Sequence, residues 1–110
     1  SSKRRIKSGG EWISSVDMEN IVTSHPAVKM AAVIGIPHPK WDERPLLLVT
    51  INEDHEILSQ DLKDFISQRS AKWEVPDEII FVDQIPLGAT GKIDKKTLRE
   101  HYVTNWDWPD

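Results

Sequence analysis

Two stretches of the chain, residues 28–36 (VKMAAVIGI) and 46–51 (LLLVTI), are apolar with almost no polar interruption. The first, rich in β-branched residues and bounded by Pro26 and Pro37, fits a buried strand better than a helix, and the second reads as another strongly apolar strand. The first is expected in the middle of a sheet. Residues 37–45, between the two strands, hold three prolines and are expected to form a loop.

Helical periodicity appears on either side of these strands. Ser14, Ser15 and Asp17 are candidate N-caps for a helix carrying Val16, Met18, Ile21 and Val22 roughly on one face, ending at His25-Pro26 because a residue before proline avoids helical geometry. Residues 57–70 place Leu58, Leu62, Phe65 and Ile66 on one side, which with Ser59 as a candidate cap predicts an amphipathic helix laid on the sheet. Residues 78–82 (EIIFV) read as a third strand. At the start, a basic stretch leads into Ser8-Gly9-Gly10 and then Glu11-Trp12-Ile13, the signature of a small hairpin. Near the end, Asp94 is a candidate cap for a last helix bearing Lys95, Lys96, Leu98 and Arg99 and running to about Val103. The order is that of an α+β domain: a small mixed sheet with packed helices plus an N-terminal hairpin. Residues 1–7 are assigned to a linker or hinge, 8–103 to the domain, and 104–110, with Trp106 and Trp108, to an aperiodic tail read as disordered or bound to a neighbour.

Composition narrows the function classes. With 110 residues, 38% hydrophobic and 29% charged, the chain suits one globular domain with a modest core, and it shows no signal peptide or transmembrane run. A soluble, cytoplasmic location is the expectation. A net charge of −4 argues against general nucleic-acid binding, which needs an excess of clustered cations. There is no cysteine, so no disulfide or thiolate metal site can form. His25, His38, His55 and His101 are scattered without metal-ligand spacing, and no metal site is expected. Ser8-Gly9-Gly10 lacks the spacing and following lysine of a phosphate-cradling P-loop. Glu11, Asp17 and Glu19 lie close together, but paired-carboxylate chemistry needs a cleft that so small a domain seldom makes alone.

The stretch most suggestive of chemistry is residues 86–99, PLGATGKIDKKTLR. A proline, two glycines and a threonine precede Lys92, so the lysine is expected on a mobile arm tethered to the helix that follows. On composition alone a solvated surface turn is the favoured reading. The wording of the loop, in Pro86, Thr90, Gly91, Lys92, Ile93, Lys95, Leu98 and Arg99, resembles the lysine loop near the C-terminus of the adenylate-forming enzymes, the superfamily of acyl-CoA synthetases, amino-acid adenylation domains and firefly luciferase. A second motif, RIKSGGEWISSVDME, resembles the segment that joins the large N-terminal domain of that family to its small mobile C-terminal domain. The likeness extends to about Val103. KSGGEWIS is most similar to fatty-acid and methylthiopropionate-type CoA ligases.

The resemblance implies a two-step reaction in which ATP activates a carboxylic acid to an acyl-adenylate and coenzyme A then takes the acyl group as a thioester. It implies that Lys92 is catalytic and contacts nucleotide in the first step. Ser8, Gly9, Gly10, Glu11 and Trp12 would line the coenzyme A channel in the second step, after a large rotation of the domain. Lys7 would contact nucleotide phosphate, although an exposed strand lysine is an equal reading. The hinge residue falls on Lys3, beside which Arg4 and Arg5 differ from the acidic-then-apolar pair of the family. ATP and Mg²⁺ would be held by an N-terminal domain of the same parent enzyme, so this chain alone is expected to be inactive. Two alternatives stand beside this reading: a stand-alone binding module that kept the fold without catalysis, and an amino-acid adenylation or luciferase-like member.

Overall fold

The computed structural model describes residues 5–8, 11–40, 42–70, 74–76 and 78–105. The element order is β1 (Arg5–Ser8), β2 (Glu11–Ser14), α1 (Ser15–Thr23), β3 (Val28–His38), β4 (Asp42–Ile51), α2 (Ser59–Ser67), β5 (Glu78–Phe81) and α3 (Lys95–Asn105). The strands form one five-stranded sheet in which β4 is the hub, antiparallel to β1 and β3 and parallel to β5. The architecture is the expected mixed sheet with helices and an N-terminal hairpin.

Side chains alternate across the sheet and divide the core into two halves. Ala31, Val33, Leu47, Val49 and Ile79 face one way and pack with Met18 and Val22 of α1 and Leu62 and Ile66 of α2. Ala32, Ile34, Ile36, Leu46 and Leu48 face the other way and meet Ile85 and Leu98 of α3. Both faces are therefore covered, which is why β3 and β4 read as unbroken apolar runs.

Three expectations are corrected. First, β3 is not central: among the described residues it pairs with β4 alone, while β4 pairs with three strands. Second, the proline-rich residues 37–45 are mostly strand. Pro45 lies opposite Gly35, and Pro37 lies opposite Glu43. Proline cannot donate to the ladder, so both pairs must be of the non-hydrogen-bonded type, with the proline nitrogens turned away from the shared ladder. For Pro37 that direction is the edge of β3. For Pro45 it is the interval on β4 between its pairing with β1 at Asp42 and its pairing with β5 from Leu46. Asp42, which opens β4 opposite His38, has φ 65°.

Third, α2 starts later than its pattern suggested. Leu58 occupies the N-cap with no side-chain hydrogen bond, so Ser59 does not cap the helix. Leu58 is 70% exposed, whereas Leu62 and Ile66 are fully buried. The other caps follow the sequence. Ser14 Oγ accepts from the Asp17 amide at 3.2 Å, and α1 ends just before His25-Pro26. Arg44 on β4 is 8% exposed and its Nη2 donates to the Val75 carbonyl at 3.1 Å, tying the sheet to the segment that precedes β5. Among the described residues no helix is long and apolar enough to cross a membrane, and no group of three or more His, Asp or Glu side chains is placed to hold a metal ion.

Candidate functional site: the Lys92 turn and its cleft

Lys92 sits on the return arm of a compact hydrogen-bonded turn between Ile85, buried on the α3 side of the sheet, and the start of α3. Leu87 and Ile93 form a bridge across the turn. The Gly88 amide donates to the Lys92 carbonyl at 2.7 Å, the Gly91 amide to the Gly88 carbonyl at 3.0 Å, and the Asp94 amide to the Pro86 carbonyl at 2.8 Å. The two glycines are not equivalent. Gly91 has φ +82°, a conformation that side chains rarely adopt, whereas a Cβ added at Gly88 would meet only the Lys92 carbonyl at 3.7 Å.

Beyond the turn, Asp94 caps α3. Its Oδ1 accepts from the Thr97 amide at 3.1 Å and its Oδ2 from the Thr97 hydroxyl at 2.8 Å. These bonds to Thr97, with the nearby charge of Lys96, hold the Asp94 carboxyl below the ordinary aspartate value. Lys95 and Lys96 occupy the first turn, the positive end of the helix dipole, where cations are unfavourable. Both line the same cleft as Lys92, together with Arg99 from the next turn, so four cations converge there.

The cleft, of about 1070 Å³, lies along β3 between α1 and α3, with Val33, Ile34 and Gly35 among its lining residues. Acids on its walls pair with two of the cations. Glu19 Oε2 of α1 lies 2.7 Å from Lys95 Nζ, and Glu43 Oε2 of β4 lies 4.0 Å from Arg99 Nη2. The Lys92 side chain is exposed and makes no hydrogen bond or ion pair among the described residues. Its ammonium is thus available to an anion brought in from outside.

The other residues singled out in the sequence are placed less fully. Lys3, Gly9 and Gly10 lie outside the described residues, as do Trp106 and Trp108. Lys7, Ser8 and Glu11 belong to the hairpin by backbone register, Lys7 opposite Trp12 and Ser8 opposite Glu11. Trp12 is 56% exposed on β2 and is not among the residues lining the Lys92 cleft. Sequence reasoning weighed Glu19 only as one of three neighbouring carboxylates and missed Glu43 altogether. Glu19 lies four residues after the buried Ser15, so the two share one side of α1, but nothing in the local pattern points to Lys95, 76 positions away.

Comparison with known proteins places this geometry. Residues 17–92 match the AMP-binding enzyme C-terminal domain family. The 3-methylmercaptopropionyl-CoA ligase of Ruegeria lacuscaerulensis is 54% identical over 101 residues, covering 92% of this chain and 19% of that protein. The long-chain-fatty-acid–CoA ligase of Thermus thermophilus is 48% identical over 100 residues, covering 91% and 18%. Among solved structures, the Mycobacterium tuberculosis fatty acyl CoA synthetase superposes with a TM-score of 0.86 at 35% identity, covering 93% of this chain and 20% of that one. ATP-bound MatB from Rhodopseudomonas palustris superposes with a TM-score of 0.88 at 28% identity, covering 93% and 20%. The chain thus spans about one fifth of the length of the relatives it matches. From the match across α1 to the lysine turn, and from the shared fold, the chain belongs to the AMP-binding enzyme C-terminal domain family.

Proposed function

We propose that this domain is the mobile C-terminal lid of an acid–CoA ligase, which activates a carboxylic acid with ATP and passes the acyl group to coenzyme A. The observation that carries the reading is the exposed Lys92 ammonium, unpaired among the described residues, on a hydrogen-bonded turn in a cleft whose nearby cations Lys95 and Arg99 face acids. In the adenylation step, negative charge is shared between the substrate carboxylate and the α-phosphate. A single ammonium with three donors can bridge an oxygen of each, and it stabilises the transition state more than the separated reactants. Lys92 fits that role, with the α3 N-terminus and Lys96 adding positive potential behind it. The nucleotide and its Mg²⁺ would be held by an N-terminal domain of the parent enzyme.

In the thioester step, rotation of the domain would withdraw Lys92 and bring up the hairpin. Ser8, Gly9, Gly10, Glu11 and Trp12 would then line the coenzyme A channel, with Lys3 as the hinge and Lys7 near phosphate in the first pose. The exposed Trp12 indole is consistent with a surface that a second partner covers. The proposed substrate class is supported by relatives named 3-methylmercaptopropionyl-CoA ligase, medium-chain-fatty-acid–CoA ligase and long-chain-fatty-acid–CoA ligase. The test is acid-dependent ATP–pyrophosphate exchange by the full-length parent, with a panel of short, thioether-containing and fatty acids. Exchange with a subset of the panel supports the reading, and no exchange with any acid, or exchange only with amino acids, overturns it.

A further inference from the structure

Through one carboxylate oxygen, Glu19 joins its own helix to two other parts of the domain. Its Oε2 accepts from the Val33 amide of β3 at 2.8 Å and lies 2.7 Å from Lys95 Nζ at the start of α3, while the backbone of Glu19 itself belongs to α1. The same Lys95 Nζ lies 3.1 Å from Ser15 Oγ, one turn earlier on α1. The side chains are 28% exposed for Lys95 and 15% for Glu19, so the pair is shielded from solvent more than a surface ion pair is. Val33 is opposite Leu47, in step with the Gly35–Pro45 pair, so its N–H points away from β4 toward the edge of the sheet. Glu19 fills that edge position, and because a backbone donor fixes its carboxylate, the site it offers Lys95 is fixed relative to the sheet.

Lys95 follows Lys92 by three residues. Between them, the Asp94 amide is bonded to the Pro86 carbonyl. The return arm of the Lys92 turn is therefore held at two successive points, once to its own outgoing arm and once, through Lys95, to β3 and α1. For the stability of α3 alone, a lysine in the first turn is the wrong choice, because it opposes the helix dipole. What offsets that cost at Lys95 is tertiary, the ion pair with Glu19 and the hydrogen bond to Ser15.

We propose that Glu19 is a positioning residue for Lys92, acting through Lys95. The pair locks the base of the turn so that the Lys92 ammonium reaches its anionic target from a fixed platform, with little conformational freedom left to lose in the transition state. The proposal rests on the reading of Lys92 as the cation of the adenylation step.

The test uses three single variants in the full-length parent enzyme, the Glu19→Gln/Lys95→Met double variant, and Lys92→Ala as a control. Glu19→Gln keeps the shape and the acceptor for the Val33 amide but removes the charge, Lys95→Met removes the cation, and Lys95→Arg restores it. Glu19→Gln and Lys95→Met are each expected to lower ATP–pyrophosphate exchange about ten- to hundredfold, with thioester formation from supplied acyl-adenylate within about twofold of wild type. The double variant should be no worse than either single one, and Lys95→Arg should recover most of the exchange. If Glu19→Gln does not fold, Lys95→Met, at a more exposed position, decides alone. Exchange within about twofold of wild type, or equal loss of both half-reactions, overturns the proposal. A failed reading of Lys92 is seen separately, as Lys92→Ala leaving exchange intact. A readout independent of activity is amide hydrogen exchange in the 110-residue chain. Glu19→Gln should speed exchange at Asp94 and Gly88 about fivefold more than at the amides of β4, and uniform change would contradict the positioning role.

Discussion

The Gly88 amide and the Lys92 carbonyl, 2.7 Å apart, close the turn that carries the candidate catalytic ammonium, and Gly91 lies inside it at φ +82°. The closure therefore depends on one glycine more than on the other. Gly91→Ala should destabilise the domain by about 1–2 kcal/mol, the cost of a left-handed conformation for an L-residue. Gly88→Ala should change stability by less than about 1 kcal/mol, since the new methyl meets only ordinary van der Waals contact. Urea unfolding of the two variants checks this, and equal losses would contradict the geometry.

Asp94 gives the turn a pH dependence. Its carboxyl is held below the ordinary value of 3.8, chiefly by the hydrogen bond from the Thr97 amide and then by that from the Thr97 hydroxyl. A folded-state pKa below the unfolded one means that the cap's contribution is whole above pH 3.8 and is lost as pH falls through the lower folded value. The Thr97 amide resonance should follow this titration, and Asp94→Asn, which keeps a capping oxygen, should abolish it. Unchanged titration of the Thr97 amide in Asp94→Asn would exclude the cap as its source.

On α2, burial rather than hydrophobicity decides the cost of a substitution. Leu62→Ala should lose about 2–5 kcal/mol, because the side chain is fully buried against the sheet. Leu58→Ala should change stability by no more than about 0.5 kcal/mol, since the residue is exposed at an N-cap that makes no side-chain hydrogen bond. Denaturation midpoints of the two variants should differ accordingly.

Gly10 tests the other half of the proposed cycle. Gly10→Leu in the full-length parent should lower thioester formation from supplied acyl-adenylate while ATP–pyrophosphate exchange is retained. Full turnover with coenzyme A in this variant would remove the hairpin from the channel.

Much of this fold was legible in the sequence because its signals are local. Ser14 and Asp94 are caps whose partners lie three residues away, and the apolar runs of β3 and β4 report burial on both faces. The residues that misled were those whose meaning depends on distant partners. Pro37 and Pro45 signal a loop until the register shows which way their nitrogens face. The apolar character of β3 suggested the centre of the sheet, yet α1 and α3, rather than a second neighbouring strand, lie along it. Leu58 matches the helical period of α2 but precedes the first helical residue. Lys92 was visible through the wording of its loop, residues 86–99. Its setting was not, because Glu19 and Glu43 reach the cleft from α1 and β4 and carry no mark of it in their own segments.

The most direct measurement is a comparison of both half-reactions in Lys92→Ala of the full-length enzyme. The account predicts that acid-dependent ATP–pyrophosphate exchange falls on the order of 10²–10³-fold, the usual loss when one preorganised donor to developing charge is removed, while thioester formation from supplied acyl-adenylate stays near wild type. Equal loss of the two steps, or exchange left intact, would contradict it.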